Sequence, residues 1–138
     1  GKDTIFKTVW DSVWRLKDSG HTIIILSGRP TSVGYETDCW LSGLEPDFLF
    51  MRQSGDHRSD SVVKEQILST MVSAGLQLQN IKVVIDDRES VCEVWRKFGL
   101  PLIKVDHGYA VEISKTAAQI AASCGILFQY AKDTHEQV

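Results

Sequence analysis

Three stretches of this sequence carry side chains that could do chemistry together. Ser27, Gly28 and Arg29 follow the apolar run TIIIL. Arg52, Arg58 and Asp60 lie in RQSGDHRSD, with Lys64 just beyond, and Asp86, Asp87 and Arg88 follow IKVVI. A serine hydroxyl, a close-approaching glycine N–H and an arginine fork are all donors suited to phosphate oxygens. A lysine near a helix start opposes the helix dipole and needs an anion nearby. Two adjacent carboxylates repel each other unless a cation or a helix N-terminus offsets them, and a divalent cation would do so. Each feature also has an ordinary reading: SGRP as a turn, Lys64 as a solvated surface lysine, Asp87 as a helix cap and Asp86 as a turn residue. Their combination is what points to one phosphate- and metal-binding site.

The elements that must position these residues are legible from periodicity. Ile5, Phe6, Val9, Trp10, Val13 and Trp14 recur at helical spacing after an N-cap at Asp3, and Gly20 ends that helix. TIIIL (22–26) reads as a fully buried strand, SGRPTSVGYE as a loop, and TDCWLSGL as a short helix. DFLFM (47–51) is a second strand and RQSGDHRSD (52–60) a polar loop. SVVKEQILSTMVSAG is expected as a helix with Val62, Val63, Gln66, Ile67 and Met71 on one side. IKVVI is a strand, ESVCEVWRKFG a helix, PLIKV (101–105) a strand, and VEISKTAAQIAASC a last helix before GILFQYA and a polar tail. Helices alternating with continuously apolar strands predict a parallel sheet covered on both faces, with ligands at the carboxyl ends of the strands.

The bulk numbers set bounds. The chain has 138 residues, 43% hydrophobic and 24% charged, with net charge −3 and a pI near 5.8. That describes one ordinary globular domain with no overall basic field. Cys39, Cys92 and Cys124 form no C-x-x-C pair, which fits a reducing, cytoplasmic setting rather than a disulfide or zinc framework. No apolar run approaches the roughly 18 residues of a membrane span. Trp10, Trp14, Trp40 and Trp95 fall at helix positions suited to packing, and of the histidines only His57, just before Asp60, sits where it could matter to a site.

The ordered set resembles motifs two, three and four of the haloacid dehalogenase (HAD) superfamily of phosphohydrolases. More specifically, IIILSGRP, RQSGDHRSDSVVKEQI and VVIDDRESVCEVWRKFG look like the 3′-phosphatase domain of phage polynucleotide kinase/phosphatase. There the blocks are SGR, R-x-x-GD-x-R-x-D-x-VVK, and IDDR followed by V-x-x-WR-x-x-G. The resemblance covers about residues 3 to 106. It implies that Ser27 and Lys64 bind the phosphoryl group, that Arg29 is needed for activity and that Asp60 orients Lys64. It implies Asp86 as a Mg2+ ligand, Asp87 in support of the metal shell, and Gly28, Arg52, Arg58 and Arg88 around the substrate. The pairing of one or more of these arginines with Asp56, Asp60 or Asp87 is the ordinary reading, above all for Arg88.

One expected motif is missing. HAD phosphatases carry their nucleophile on D-x-D-G-T at the end of a central strand, and no such motif occurs here. The expected fold is therefore α/β, a three-layer Rossmann-like parallel sheet of the HAD type with its central strand missing or supplied by another segment. That leaves a gap between the SGR strand and the DD strand. Residues 1–106 form the phosphatase core, and 107–138 a C-terminal helix and tail of unassigned role. An upstream segment or a second chain would supply the Asp-x-Asp strand, with GILFQYA a candidate filler that brings no carboxylate. The function implied is Mg2+-dependent removal of phosphate from a nucleic-acid 3′ end or a nucleoside 3′-phosphate in end repair. The alternatives are a catalytically silent phosphate- or nucleic-acid-end-binding module and one part of a split enzyme.

Overall fold

The computed structural model describes residues 7–30 and 43–126, the side chains of 28–30 excepted. The expectations placed on Asp3, Ile5 and Phe6, on the helix around Trp40 and on most of GILFQYA lie outside the described residues. Helix α1 (Lys7–Asp18) leads to strand β1 (Ile24–Pro30), and β2 (Phe48–Arg52) to α2 (Asp60–Ser73). A 3-10 turn at Leu78–Asn80 precedes β3 (Val84–Asp86), followed by α3 (Glu89–Lys97), β4 (Leu102–Asp106), β5 (Tyr109–Ile113) and α4 (Lys115–Ser123).

The strands form two ladders. β1 and β2 pair in parallel, Ile24 opposite Phe48 and Ile25 opposite Leu49. β3 pairs in parallel with β4, and β5 runs antiparallel on the far side of β4. No ladder among the described residues joins β1 to β3. The side chains nevertheless put both ladders in one layer. Ile25 of β1, Ile85 of β3 and Ile103 of β4 belong to one core, while Leu26, Val84 and Leu102, one residue displaced, belong to a second. Successive strand residues face opposite ways, so this shared alternation means that both ladders present the same two faces.

Helices cover each face. Val9, Trp10 and Leu16 of α1, with Ala117 and Ala121 of α4, close the first core. Leu68 of α2 and Val91, Cys92, Val94 and Trp95 of α3 close the second. The result is the expected three-layer α/β arrangement.

Three local expectations are corrected. SGRP is not a loop: β1 runs on to Pro30, with a register irregularity between Ser27 and Pro30 where the chain pairs with Met51 and Arg52. Residues 111–113 are not helix. His107 at φ 50° and Gly108 at φ 84° make a tight reversal of the left-handed kind that hairpins favour, and this folds 109–113 back onto β4. The last helix then starts after Ser114, whose Oγ accepts from Ala117 N as an N-cap and from Leu102 N at the head of β4. Finally, the inner face of α2 is Val63, Lys64, Ile67, Leu68 and Met71, while Val62 and Gln66 face outward. Helical spacing tolerates either stripe, and the one chosen turns Lys64 inward.

Candidate active site

The carboxyl ends of β1, β2 and β3 gather the polar residues. Ser27, in the middle of β1, is the last residue before the strand's register irregularity, lies opposite Met51 and is buried at 4% exposure. Gly28 and Arg29 follow it in the same strand, and their side-chain positions lie outside the described residues. Arg52 ends β2 and Asp86 ends β3.

Lys64 is the fifth residue of α2 and points to the sheet. Its Nζ lies 3.4 Å from Asp86 Oδ2, with side-chain exposures of 12% and 7%. The anion that offsets this lysine's unfavourable place on the helix dipole is therefore, in the resting chain, Asp86. Asp86 is also held by three other donors. Its Oδ1 accepts from the backbone N–H of Asp87 at 2.9 Å and of Arg88 at 3.3 Å, and its Oδ2 accepts from Trp95 Nε1 at 3.1 Å. A carboxylate has about four acceptor sites, and here each has a donor.

Asp87 does not cap α3: the N-cap is Arg88, whose side chain makes no capping bond. Asp86 instead closes the turn through its Oδ1. The Asp87 side chain is exposed and accepts no hydrogen bond among the described residues. The repulsion expected between the neighbouring acids is relieved because one is buried among donors and the other faces solvent.

The loop 53–59 is organised by Arg52. Its Nη1 donates to the carbonyls of Asp56, at 3.1 Å, and Arg58, and its Nη2 donates to Asp60 Oδ1 at 2.7 Å. Asp60 Oδ2 lies 3.5 Å from Arg88 Nη1. Asp60 therefore holds two guanidinium groups, and it makes no bond to Lys64. Arg58 lays its Nε and Nη2 on the Asp56 carboxylate at 3.0 and 2.8 Å. These Arg58 bonds hold the Asp56 carboxyl well below the usual range. The acid–arginine pairing expected from the sequence is thus present at Asp56 and Asp60. His57 is exposed and lines an open concavity with Arg52, Gln53, Ser54, Gly55, Asp56 and Arg58.

Could these residues hold Mg2+? Among the described residues no group of three or more His, Cys, Asp or Glu could hold a metal ion. Mg2+, however, commonly takes only one or two carboxylates and completes its octahedron with water and phosphate oxygens. The exposed Asp87 carboxylate beside the Asp86–Lys64 pair fits that smaller share.

Two contributors escaped the sequence reading. Trp95, expected as plain core, is 2% exposed yet donates to Asp86, and Cys92, fully buried three residues earlier on the same helix face, lies with its Sγ 3.9 Å from the Asp86 carbonyl. The available signal was that a buried indole N–H requires an acceptor, and this helix starts just after the acidic pair.

The arrangement is matched by known proteins. The family model described as "Polynucleotide kinase PNKP phosphatase domain" matches residues 1–109. A chain of the solved structure entitled "Structure of Pnkp1/Rnl/Hen1 complex" superposes with a TM-score of 0.64 at 27% identity, over 75% of this chain and 37% of that one. This sequence thus spans little more than a third of that relative. With residues 1–109, most of its length, under the family model, the chain belongs to the HAD-type family of polynucleotide kinase PNKP phosphatase domains.

Proposed function

We propose that this chain is the phosphate-holding portion of a polynucleotide 3′-phosphatase acting in nucleic-acid end repair. The single observation that carries the reading is the Lys64–Asp86 contact of 3.4 Å, made at the same sheet end as Ser27. A cation that rests on a carboxylate is ready to exchange it for a phosphoryl oxygen, since both are anionic oxygen acceptors for a charged N–H donor.

In this reading a terminal 3′-phosphate enters at the carboxyl ends of β1 and β3. The Lys64 ammonium and the Ser27 hydroxyl bind its oxygens, where charge builds during transfer. Arg29, one strand residue beyond Gly28, adds a second cation. Asp60 keeps Arg52 and Arg88 in place and so shapes the loop 53–59 beside the entering strand end. Arg58 and Arg88 present positive charge at the rim, which suits the backbone of a polynucleotide and fixes its register. Mg2+, held by Asp86 and Asp87, would neutralise charge on the phosphoryl oxygens. The nucleophilic carboxylate comes from a strand ending in Asp-x-Asp that enters between β1 and β3. The lack of a ladder between those two strands, in a layer whose cores they share, supports such an insertion.

The test is release of inorganic phosphate, with Mg2+, from oligonucleotides phosphorylated at either the 3′ or the 5′ end. It is run on this chain alone and on this chain fused to an apolar strand ending in Asp-x-Asp-Gly-Thr. Release from the 3′ end only, by the fusion only, and lost in Lys64→Met supports the proposal. Release from the 5′ end, or release by the fusion that survives Lys64→Met, contradicts it.

A further inference from the structure

The core tryptophan of α3 has a second duty. Trp95 lies among Leu68, Val91, Cys92, Val94, Leu100 and Leu102, where burial calls only for apolar surface. What a phenylalanine lacks is the indole N–H. That N–H donates across from α3 to Asp86 Oδ2 at 3.1 Å, on the oxygen that also holds Lys64. We propose that Trp95 is a positioning residue for the phosphate site, acting through Asp86 to set where Lys64 waits for its anion. The proposal rests on the phosphatase reading above.

Trp95 is 2% exposed, with its ring fixed by the second core. The two backbone amides on Oδ1 fix one oxygen of Asp86 but leave the carboxylate plane free to turn about that anchor. The indole fixes the other oxygen and with it the plane. Lys64 then follows. It carries a flexible four-carbon stem, and Asp86 is its one polar partner among the described residues. Without the indole, Oδ2 is free to rotate and the ammonium loses its fixed resting point. A positioned cation binds its ligand more tightly than a mobile one, because less freedom is lost on binding.

The test replaces Trp95 with 3-benzothienylalanine, which keeps the ring shape and exchanges the N–H for sulfur. Trp95→Phe is the second variant, used should the first fail to fold. Fluorescence anisotropy compares a labelled oligonucleotide bearing a 3′-phosphate with the same oligonucleotide bearing a 3′-hydroxyl. The expected result is a melting temperature close to that of the unmodified chain, unchanged affinity for the 3′-hydroxyl oligonucleotide, and a roughly 5- to 10-fold loss of preference for the 3′-phosphate. In a Lys64→Met background the same replacement should change nothing, because the residue it positions is gone. An undiminished preference with Lys64 present, or an equal loss without it, would overturn the positioning role. An unmodified chain with no preference for the 3′-phosphate would instead overturn the phosphatase reading itself.

Discussion

Lys64 Nζ and Asp86 Oδ2 sit 3.4 Å apart, joining the core-facing side of α2 to the end of β3, with both side chains mostly withdrawn from water. A charge so placed is tolerable only with its partner, because desolvation costs several kcal/mol per ion. Asp86→Ala would leave the ammonium facing the sheet without an anion, and we expect a loss of about 3–5 kcal/mol of stability. The double variant Asp86→Ala/Lys64→Met should lose less than the sum of the singles, with a coupling of about 1–3 kcal/mol. Urea unfolding of the four proteins in the cycle measures it.

Arg52 is the strut of the loop that leads into α2. Removing it as Arg52→Ala leaves two backbone carbonyls and Asp60 short of donors, a loss of about 2–4 kcal/mol. Arg52→Lys should recover little, since one ammonium cannot reproduce a fork that reaches several oxygens at once. Limited proteolysis should show early cleavage within residues 53–59 in both variants and not in the parent chain.

Much of this arrangement could be read from residues alone. The helices and parallel strands followed from apolar periodicity, and the shared site followed from polar residues at three strand ends. Three features were hidden for physical reasons. The sequence DHGY signals a turn only once a left-handed His107 and Gly108 are seen to reverse the chain, so β5 reads as part of a helix. SGRP looks like a loop because strand extension depends on its partner in β2, which local pattern does not encode. The inward turn of Lys64 was hidden because a lysine on an apolar stripe normally faces out, and only its distant partner Asp86 draws it in. The family resemblance implied that Asp60 orients Lys64, whereas in the structure the Asp60 carboxylate is taken by Arg52 Nη2 on one oxygen and Arg88 Nη1 on the other.

An ionic network on the outer side of α3 sets the acid response. Arg96 donates to Glu89 at 2.8 and 3.0 Å and to Glu112 at 3.0 and 2.6 Å, and Lys104 donates to Glu89 at 2.8 Å. The Arg96 bonds first, and the Lys104 bond second, bring the Glu89 carboxyl down to about 2 from an ordinary 4.5. A folded-state value below the unfolded one stabilises the fold above pH 4.5, and that contribution is lost as pH falls from 4.5 towards 2. Urea midpoints at pH 6, 4 and 3 should therefore fall steadily, and Glu89→Gln should flatten the fall.

Cys92 should be chemically silent in the folded chain. It is fully buried, and burial first and the Asp86 carboxylate second push its thiol up to about 11, which keeps it protonated at neutral pH. Iodoacetamide at pH 8 should modify the half-buried Cys124 well before Cys92, which should react only after denaturant is added. Peptide mass spectrometry resolves the two sites. Early labelling of Cys92 would mean that α3 opens far more readily than its packing implies.

If Lys64 waits on Asp86 for a terminal phosphate, as proposed, a phosphorylated end must bind better than a bare one. Isothermal titration calorimetry of this chain with one oligonucleotide, bearing either a 3′-phosphate or a 3′-hydroxyl, tests it most directly. We expect a preference of about tenfold or more for the 3′-phosphate, corresponding to roughly 1.4 kcal/mol, and its disappearance in Lys64→Met. Equal affinity for the two ends, or a preference that survives the loss of Lys64, would contradict it.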